Sequence, residues 1–254
     1  LPVNFDDHGS MQDPVGVAVE PDSDHPAIFY TDASTKKVRK LAPGGQLLID
    51  FGAFAQPAGI EVDPVGQVYV TDTHFHIVAR FAPDGTLADV IGKQGGGAGT
   101  GSPAFNTPSD LDIDHEGNLY VADTLNGRVM KVSPTHDVIW AHDGLGRPSG
   151  IAYTIEAVPN PDPDGDPVLV GRLAVSDEST STFRILDPDS GSDVGSPVSV
   201  PDGPGQPGTF GTAVDCTNAV FVAEPGRHRL ARFKQGDPQE VPPCSAPKNT
   251  VTPQ

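Results

Sequence analysis

Three carboxylates stand where the rest of the sequence carries small residues. A short β-rich run recurs five times, and one position in it reads Gly16, Gly59, Asp110, Gly150 and Gly211. Two places on, the series is Ala18, Glu61, Asp112, Ala152 and Ala213. Glu61, Asp110 and Asp112 therefore share crowded surroundings, where charge is costly unless a cation, bound water or a basic partner compensates it. Oxygen donors suit a hard cation such as Ca²⁺. An ion held there would be a Lewis acid for a hydrolase or lyase. The competing reading lets the same side chains reach solvent or meet Arg80 or Arg128.

Two further groups invite a metal. His74 and His76 form a His-x-His whose spacing allows two imidazoles on one ion, although the sequence offers no third ligand. His228 occupies the position equivalent to His76, which marks His76 as a structural turn residue, whereas His74 replaces a small residue. Asp162, Asp164 and Asp166, with Gly165, give part of a calcium-loop spacing without its distal bidentate Glu. That stretch also reads as a solvated acidic loop. The Gly-rich segment from Gly92 to Gly101 lacks the Gly-Lys-Ser/Thr ending and the following helix of a phosphate loop. No Gly-x-Ser-x-Gly elbow is present, so no nucleophile is nominated.

The elements that must position these groups are short. With 29 Gly and 27 Pro in 254 residues, turns are frequent and a helical bundle is excluded. Five segments end a β-rich run in an acid: Ile28 to Asp32, Val68 to Asp72, Leu119 to Asp123, Leu173 to Asp177 and Val220 to Glu224. After a polar turn each meets a second run, at Lys37 to Leu41, Ile77 to Phe81, Arg128 to Val132, Thr182 to Leu186 and Arg229 to Phe233. These are hairpins. With the preceding Gly-containing run and a closing run such as Leu87 to Ile91, they predict an all-β propeller of four-stranded antiparallel blades. Five blades are counted, with six as the alternative, and the N-terminal strand at Val3 to Asp6 is expected to complete the last blade. Residues 1–241 form the single propeller domain, and 242–254 form a Pro/Thr-rich tail.

The unit from Pro57-Ala58-Gly59-Ile60-Glu61-Val62-Asp63 to Phe81-Ala82-Pro83-Asp84-Gly85 resembles the NHL-repeat family, and the resemblance runs from about residue 10 to 236. It implies that function lies on the face where loops surround the central channel. It also brings in peptidyl-amidoglycolate lyases, whose zinc is held by inner-strand histidines. The matching positions here, Val15 and Gly16, Ala58 and Gly59, Ser109 and Asp110, Ser149 and Gly150, hold none. Lactonase-like propellers ring a calcium with Glu, Asn and Asp, of which Glu61, Asp110 and Asp112 supply part.

A formal charge of −18 argues against nucleic acid and against docking on anionic lipid. The apolar runs are too short to insert in a membrane. Cys216 and Cys244, the only cysteines, suggest a disulfide pinning the tail to the last blade, hence an exported protein: extracellular, cell-surface or periplasmic. The expected function is a ligand- or protein-binding scaffold, with a place in an extracellular assembly suggested by the tail. The alternative is a Ca- or Zn-dependent hydrolase or lyase at the channel mouth.

Overall fold

Each repeated unit closes locally. In the turn after Phe81, the Ala82 amide donates to Thr86 and the Gly85 amide to Ala82, with Gly85 at φ +83°, a left-handed position that glycine fills without strain. The turn after Leu41 repeats this geometry through Ala42, Gln46 and Gly45. The computed structural model describes residues 12–21, 26–92, 103–158, 160, 162, 166–200, 210–214, 219–224 and 229–234.

Blade 1 contains β1 (Pro14–Val19), β2 (Ile28–Asp32), β3 (Lys37–Leu41) and β4 (Leu47–Phe51). Blade 2 contains β5 (Pro57–Val62), β6 (Val68–Asp72), β7 (Ile77–Phe81) and β8 (Leu87–Ile91). Blade 3 contains β9 (Pro108–Ile113), β10 (Leu119–Asp123), β11 (Arg128–Val132) and β12 (Val138–His142). Blade 4 contains β13 (Pro148–Val158), β14 (Val168–Asp177), β15 (Thr182–Leu186) and β16 (Val198–Ser199). A fifth sheet has β17 (Phe210–Val214), β18 (Ala219–Glu224) and β19 (Arg229–Lys234). All pairings are antiparallel, in sequence order within each sheet.

The five complete blades expected from the sequence are thus corrected to four four-stranded blades and one three-stranded sheet among the described residues. The fifth blade's outer strand and the N-terminal strand expected to supply it fall on residues 235–254 and 1–11, outside the described ones. Cys216, Cys244, His228 and the tail also lie outside, and no disulfide joins the described residues. In blade 4, β13 and β14 stay paired out to Val158 and Val168, so the acidic insertion tips a long hairpin instead of forming an ordinary loop.

The core is divided among the seams between blades. Phe29, Phe51, Ile60, Val70 and Phe81 fill the seam between blades 1 and 2. Tyr69, Phe105, Leu111 and Val121 fill that between blades 2 and 3, and Tyr120, Leu145, Ile151 and Val175 the next. Ala152, Phe183, Val200 and Val220 join blade 4 to the fifth sheet. Burial of such side chains contributes about 1.5–3 kcal/mol each, so the seams are where the ring is held.

Candidate functional site

Antiparallel order sends the loops between second and third strands, and the segments leading into the inner strands β1, β5, β9, β13 and β17, to one end of every blade. The acids that close the second strands fix this face. Asp72, fully buried, accepts from the amides of Ala55 (2.8 Å), Gln56 (3.3 Å), His74 (3.0 Å) and Phe75 (3.1 Å), tying its own turn to the segment leading into β5. Asp123 accepts from the Asn106 amide (2.5 Å), from Asn126 Nδ2 (2.8 Å) and from Arg128 Nε (2.7 Å). Asp177 does the same with the amides of Gly146, Arg147 and Ser179, and Asp32 with those of Gln12 and Thr35. One acid per blade therefore builds a rigid loop platform.

Hydroxyls staple the inner strands together. Thr31 Oγ1 accepts from the Gly16 amide (2.8 Å) and donates to the Ala58 carbonyl of blade 2 (2.7 Å). Thr71 Oγ1 reaches the Gly59 and Ser109 carbonyls, and Ser149 and Ser176 pair in blade 4. Blade 3 has Ala122 in this place, and its cross-strand partner is Asp110. The donor role passes to the Thr124 hydroxyl, which donates to the Pro148 carbonyl of blade 4 (2.8 Å), and Asp110 adds a staple of opposite polarity, its Oδ2 accepting from the Ile151 amide at 2.9 Å. Asp112 adds a second staple, accepting from the Tyr153 amide at 2.6 Å through Oδ2 and from Ile113 through Oδ1.

Glu61 lies close enough for its charge to act on this pair, and it accepts only from the neighbouring Val62 amide (3.1 Å). Burial, with the charges of Asp112 and then Asp110, pushes Glu61 up to about 8. Burial likewise lifts Asp110 to about 7, against the pull of the Ile151 and Leu111 amides. Asp112 rises to about 7 by burial, held back by the Tyr153 and Ile113 amides and raised by Asp114. The arginines that the sequence offered as partners are engaged elsewhere, Arg80 with Asp89 (3.1 Å) and Arg128 with Asp123. All three groups thus keep their protons to far higher pH than ordinary carboxyls, Glu61 furthest.

The two histidines separate in role. His76 sits at φ +58°, the left-handed turn position that Lys36, Gly127 and Ser181 occupy in the other blades, and its Nδ1 accepts from the Thr107 amide of blade 3 (2.8 Å). His74 is exposed at the loop tip, its ring edge-on to Phe75 at 5.3 Å. The equivalent tip in blade 3 is Leu125, 52% exposed, while blades 1 and 4 carry Ser34 and Ser179. Aligning the turn positions singles out Leu125, a residue that search by chemistry misses because a lone leucine in a turn carries none.

Asp162 and Asp166 are exposed at the hairpin tip of blade 4, where Asn160 Nδ2 donates to the Asp166 carbonyl and Asn160 Oδ1 accepts from the Asp162 amide. Asp164 lies outside the described residues. No three His, Cys, Asp or Glu side chains are grouped to hold an ion among the described residues.

No family model matches the chain. Among curated proteins, NHL repeat-containing protein 3 of Mus musculus is 28% identical over 138 residues, which is 49% of this chain and 36% of that one. Peptidyl-alpha-hydroxyglycine alpha-amidating lyase 1 of Drosophila melanogaster is 32% identical over 123 residues, 44% of this chain and 21% of that one. The chain thus spans about a third or less of these relatives. Among solved structures, a gluconolactonase of Xanthomonas campestris superposes with a TM-score of 0.65 at 17% identity, covering 88% of this chain and 74% of the other. A chain of a nidogen/laminin complex superposes with a TM-score of 0.59, also at 17% identity, covering 87% and 80%. The repeat motif, the blade topology and these likenesses together identify the chain as a β-propeller built from NHL-type repeats.

Proposed function

We propose that the chain is a ligand- or protein-binding module of an exported protein, working through the loop-bearing face around its channel. The observation that carries this reading is the pair of bulky tips, His74 and Leu125, facing solvent on adjacent blades where blades 1 and 4 carry serine. Apolar and aromatic tips on a rigid platform supply contact area at little entropic cost. Glu61, whose carboxyl is raised furthest, would donate a hydrogen bond to a carbonyl or hydroxyl oxygen of a ligand entering the channel, with Asp110 and Asp112 beside it. His76 holds the platform. Export is supported by the two cysteines, and a protein partner by the nidogen/laminin likeness.

The alternative reading, a Ca- or Zn-dependent hydrolase or lyase, would draw on the same three carboxyls, of which Asp110 and Asp112 already accept from backbone amides. The test is selection of a random-peptide display library on the wild-type chain and on His74→Ser/Leu125→Ser, which installs residues that other blades tolerate. Selected peptides should bind the variant at least tenfold more weakly. Equal binding to both would contradict the proposal. Turnover of a peptidyl-α-hydroxyglycine by the wild type, abolished by a chelator, would replace it with the metal-dependent lyase.

A further inference from the structure

The β13–β14 hairpin overshoots its neighbours. β13 has 11 residues where β9 has 6, so it runs about 16 Å past the level at which blade 3 turns back, at the end opposite the loop face. Ile151, Tyr153 and Leu173 pack into the seam with blade 3. By strand alternation Ile155, Ala157 and Leu169 continue the same face beyond the seam, where Ile155 is 45% and Leu169 70% exposed and Ala157 is exposed between them. The elements bordering this face, blade 3 and β13 to β15, lie among the described residues. The hairpin also has a free edge, because β15 pairs with β14 only from Leu173 to Asp177. The Ile151 and Tyr153 amides leave the β13–β14 ladder to reach Asp110 and Asp112, so their partners Val175 and Leu173 turn toward β15, and by alternation Gly171 and Leu169 turn to the free edge. There the Gly171 carbonyl accepts from Arg172 Nη1 (2.9 Å), while the ladder gives no partner to the Leu169 amide and carbonyl or to the Gly171 amide. Val168-Leu169-Val170-Gly171-Arg172 carries no proline, lysine or bulge, the devices that guard such an edge.

Negative charge rims this surface. Glu116 and Asp189 are exposed at the root of the hairpin, and Asp162 and Asp166 at its tip. Burial, then the charges of Asp114, Asp189 and Glu116, push the Tyr153 hydroxyl at the root up to about 12. The basic groups of the neighbourhood are engaged, Lys131 buried against Asp114 (3.3 Å) and Arg172 against Glu156 (3.4 Å). We propose that the free edge of β14, from Val168 to Arg172, takes an extended segment of a protein partner by strand addition, a segment that combines apolar residues with lysine or arginine. Main-chain hydrogen bonds to Leu169 and Gly171 supply affinity, and side chains on the exposed face supply specificity. The apolar ones lie on Leu169 and Ile155, and the cationic ones meet Glu116 and Asp189. Exposed apolar surface rimmed by polar groups marks such contacts. A second copy of this chain fits less well, since a two-fold contact would bring the same acidic rims together in a chain of charge −18. The surface lies at the opposite end of the blades from His74 and Leu125 and does not depend on the function proposed above.

The test selects a random-peptide display library on the full chain carrying His74→Ser/Leu125→Ser, so that the loop tips contribute nothing. Selected peptides should carry net positive charge and bind Leu169→Pro in the same background at least tenfold more weakly, because proline removes an amide that points to the free edge without breaking a bond to β13. Leu169→Lys keeps that amide and alters only an exposed side chain, and it should weaken the same peptides at least threefold. Glu116→Gln/Asp189→Asn should also weaken them, by a factor that shrinks as salt rises from about 0.1 to about 1 M. Neutral or acidic peptides, or peptides that bind Leu169→Pro and Leu169→Lys as tightly as the parent, would overturn the proposal. A wild-type dimer that Leu169→Pro dissociates in sedimentation would overturn it too, since the edge would then take a second copy.

Discussion

Replacing Asp72 with alanine is expected to lower the unfolding free energy by about 3 kcal/mol, the largest effect of any single substitution on the loop face. The carboxylate is fully buried and satisfies four amides, those of Ala55, Gln56, His74 and Phe75. An amide left without a partner costs about 1–3 kcal/mol when water cannot replace the acceptor. His74 stands at the exposed tip, where its amide can recover solvent, so the sum falls well short of four full penalties. Asp72→Asn keeps the amides' acceptor oxygen but loses the charge and one lone-pair set, and should cost about half as much. Urea denaturation measures both. A loss under 1 kcal/mol for Asp72→Ala would show that the acid is not what joins the turn to the segment leading into β5.

The second large effect is on pH. Glu61, Asp110 and Asp112 have folded-state values of about 8, 7 and 7, above their ordinary values of 4.5, 3.8 and 3.8. For a raised carboxyl, the folded state binds the proton more tightly than the unfolded chain does. Its stabilising contribution is complete below the ordinary value and is lost as pH climbs through the folded one. Other acids have the opposite sign. Burial alone would raise Asp32, Asp114 and Asp177, but amide and side-chain donors outweigh it and hold all three low, while the Ser190 amide holds Asp187 low. Those contribute stability above about pH 4 that disappears on further acidification. Stability should therefore peak near pH 4 to 5 and decline toward pH 8. After allowance for solvent screening of these part-buried groups, the decline is at least about 2 kcal/mol. The triple variant Glu61→Gln/Asp110→Asn/Asp112→Asn should flatten that limb and leave the acid limb in place. A wild-type midpoint that is constant from pH 5 to 8 would contradict the burial assigned to this cluster.

Much of the architecture was legible because the repeat writes it several times over. The acids that end β2, β6, β10 and β14 stood out in the sequence as punctuation, and their chemistry explains the regularity: each must cap two separate stretches of chain. Asp110 was legible as an outlier but not in its role. That role depends on Ala122, on the neighbouring strand, where other blades carry a hydroxyl, and on an amide of the next blade. Such a trade between strands is invisible when each run is read along its own length. The division of His74 from His76 has a related cause, since side-chain spacing says nothing about a left-handed turn that aims the His76 ring at the Thr107 amide and leaves His74 exposed at the tip. The fifth blade was counted from its hairpin signature, Val220 to Phe233, which identifies two strands; with β17 only three form that sheet among the described residues.

The central claim, that ligands are taken by the loop face, is tested most directly by hydrogen–deuterium exchange of the wild-type chain with and without a peptide selected on it. Exchange should slow in residues 72–77 and 123–128, the turns that carry His74 and Leu125. Slowing confined to residues 63–67 and 82–86, the turns at the opposite end of the same blade, would contradict it.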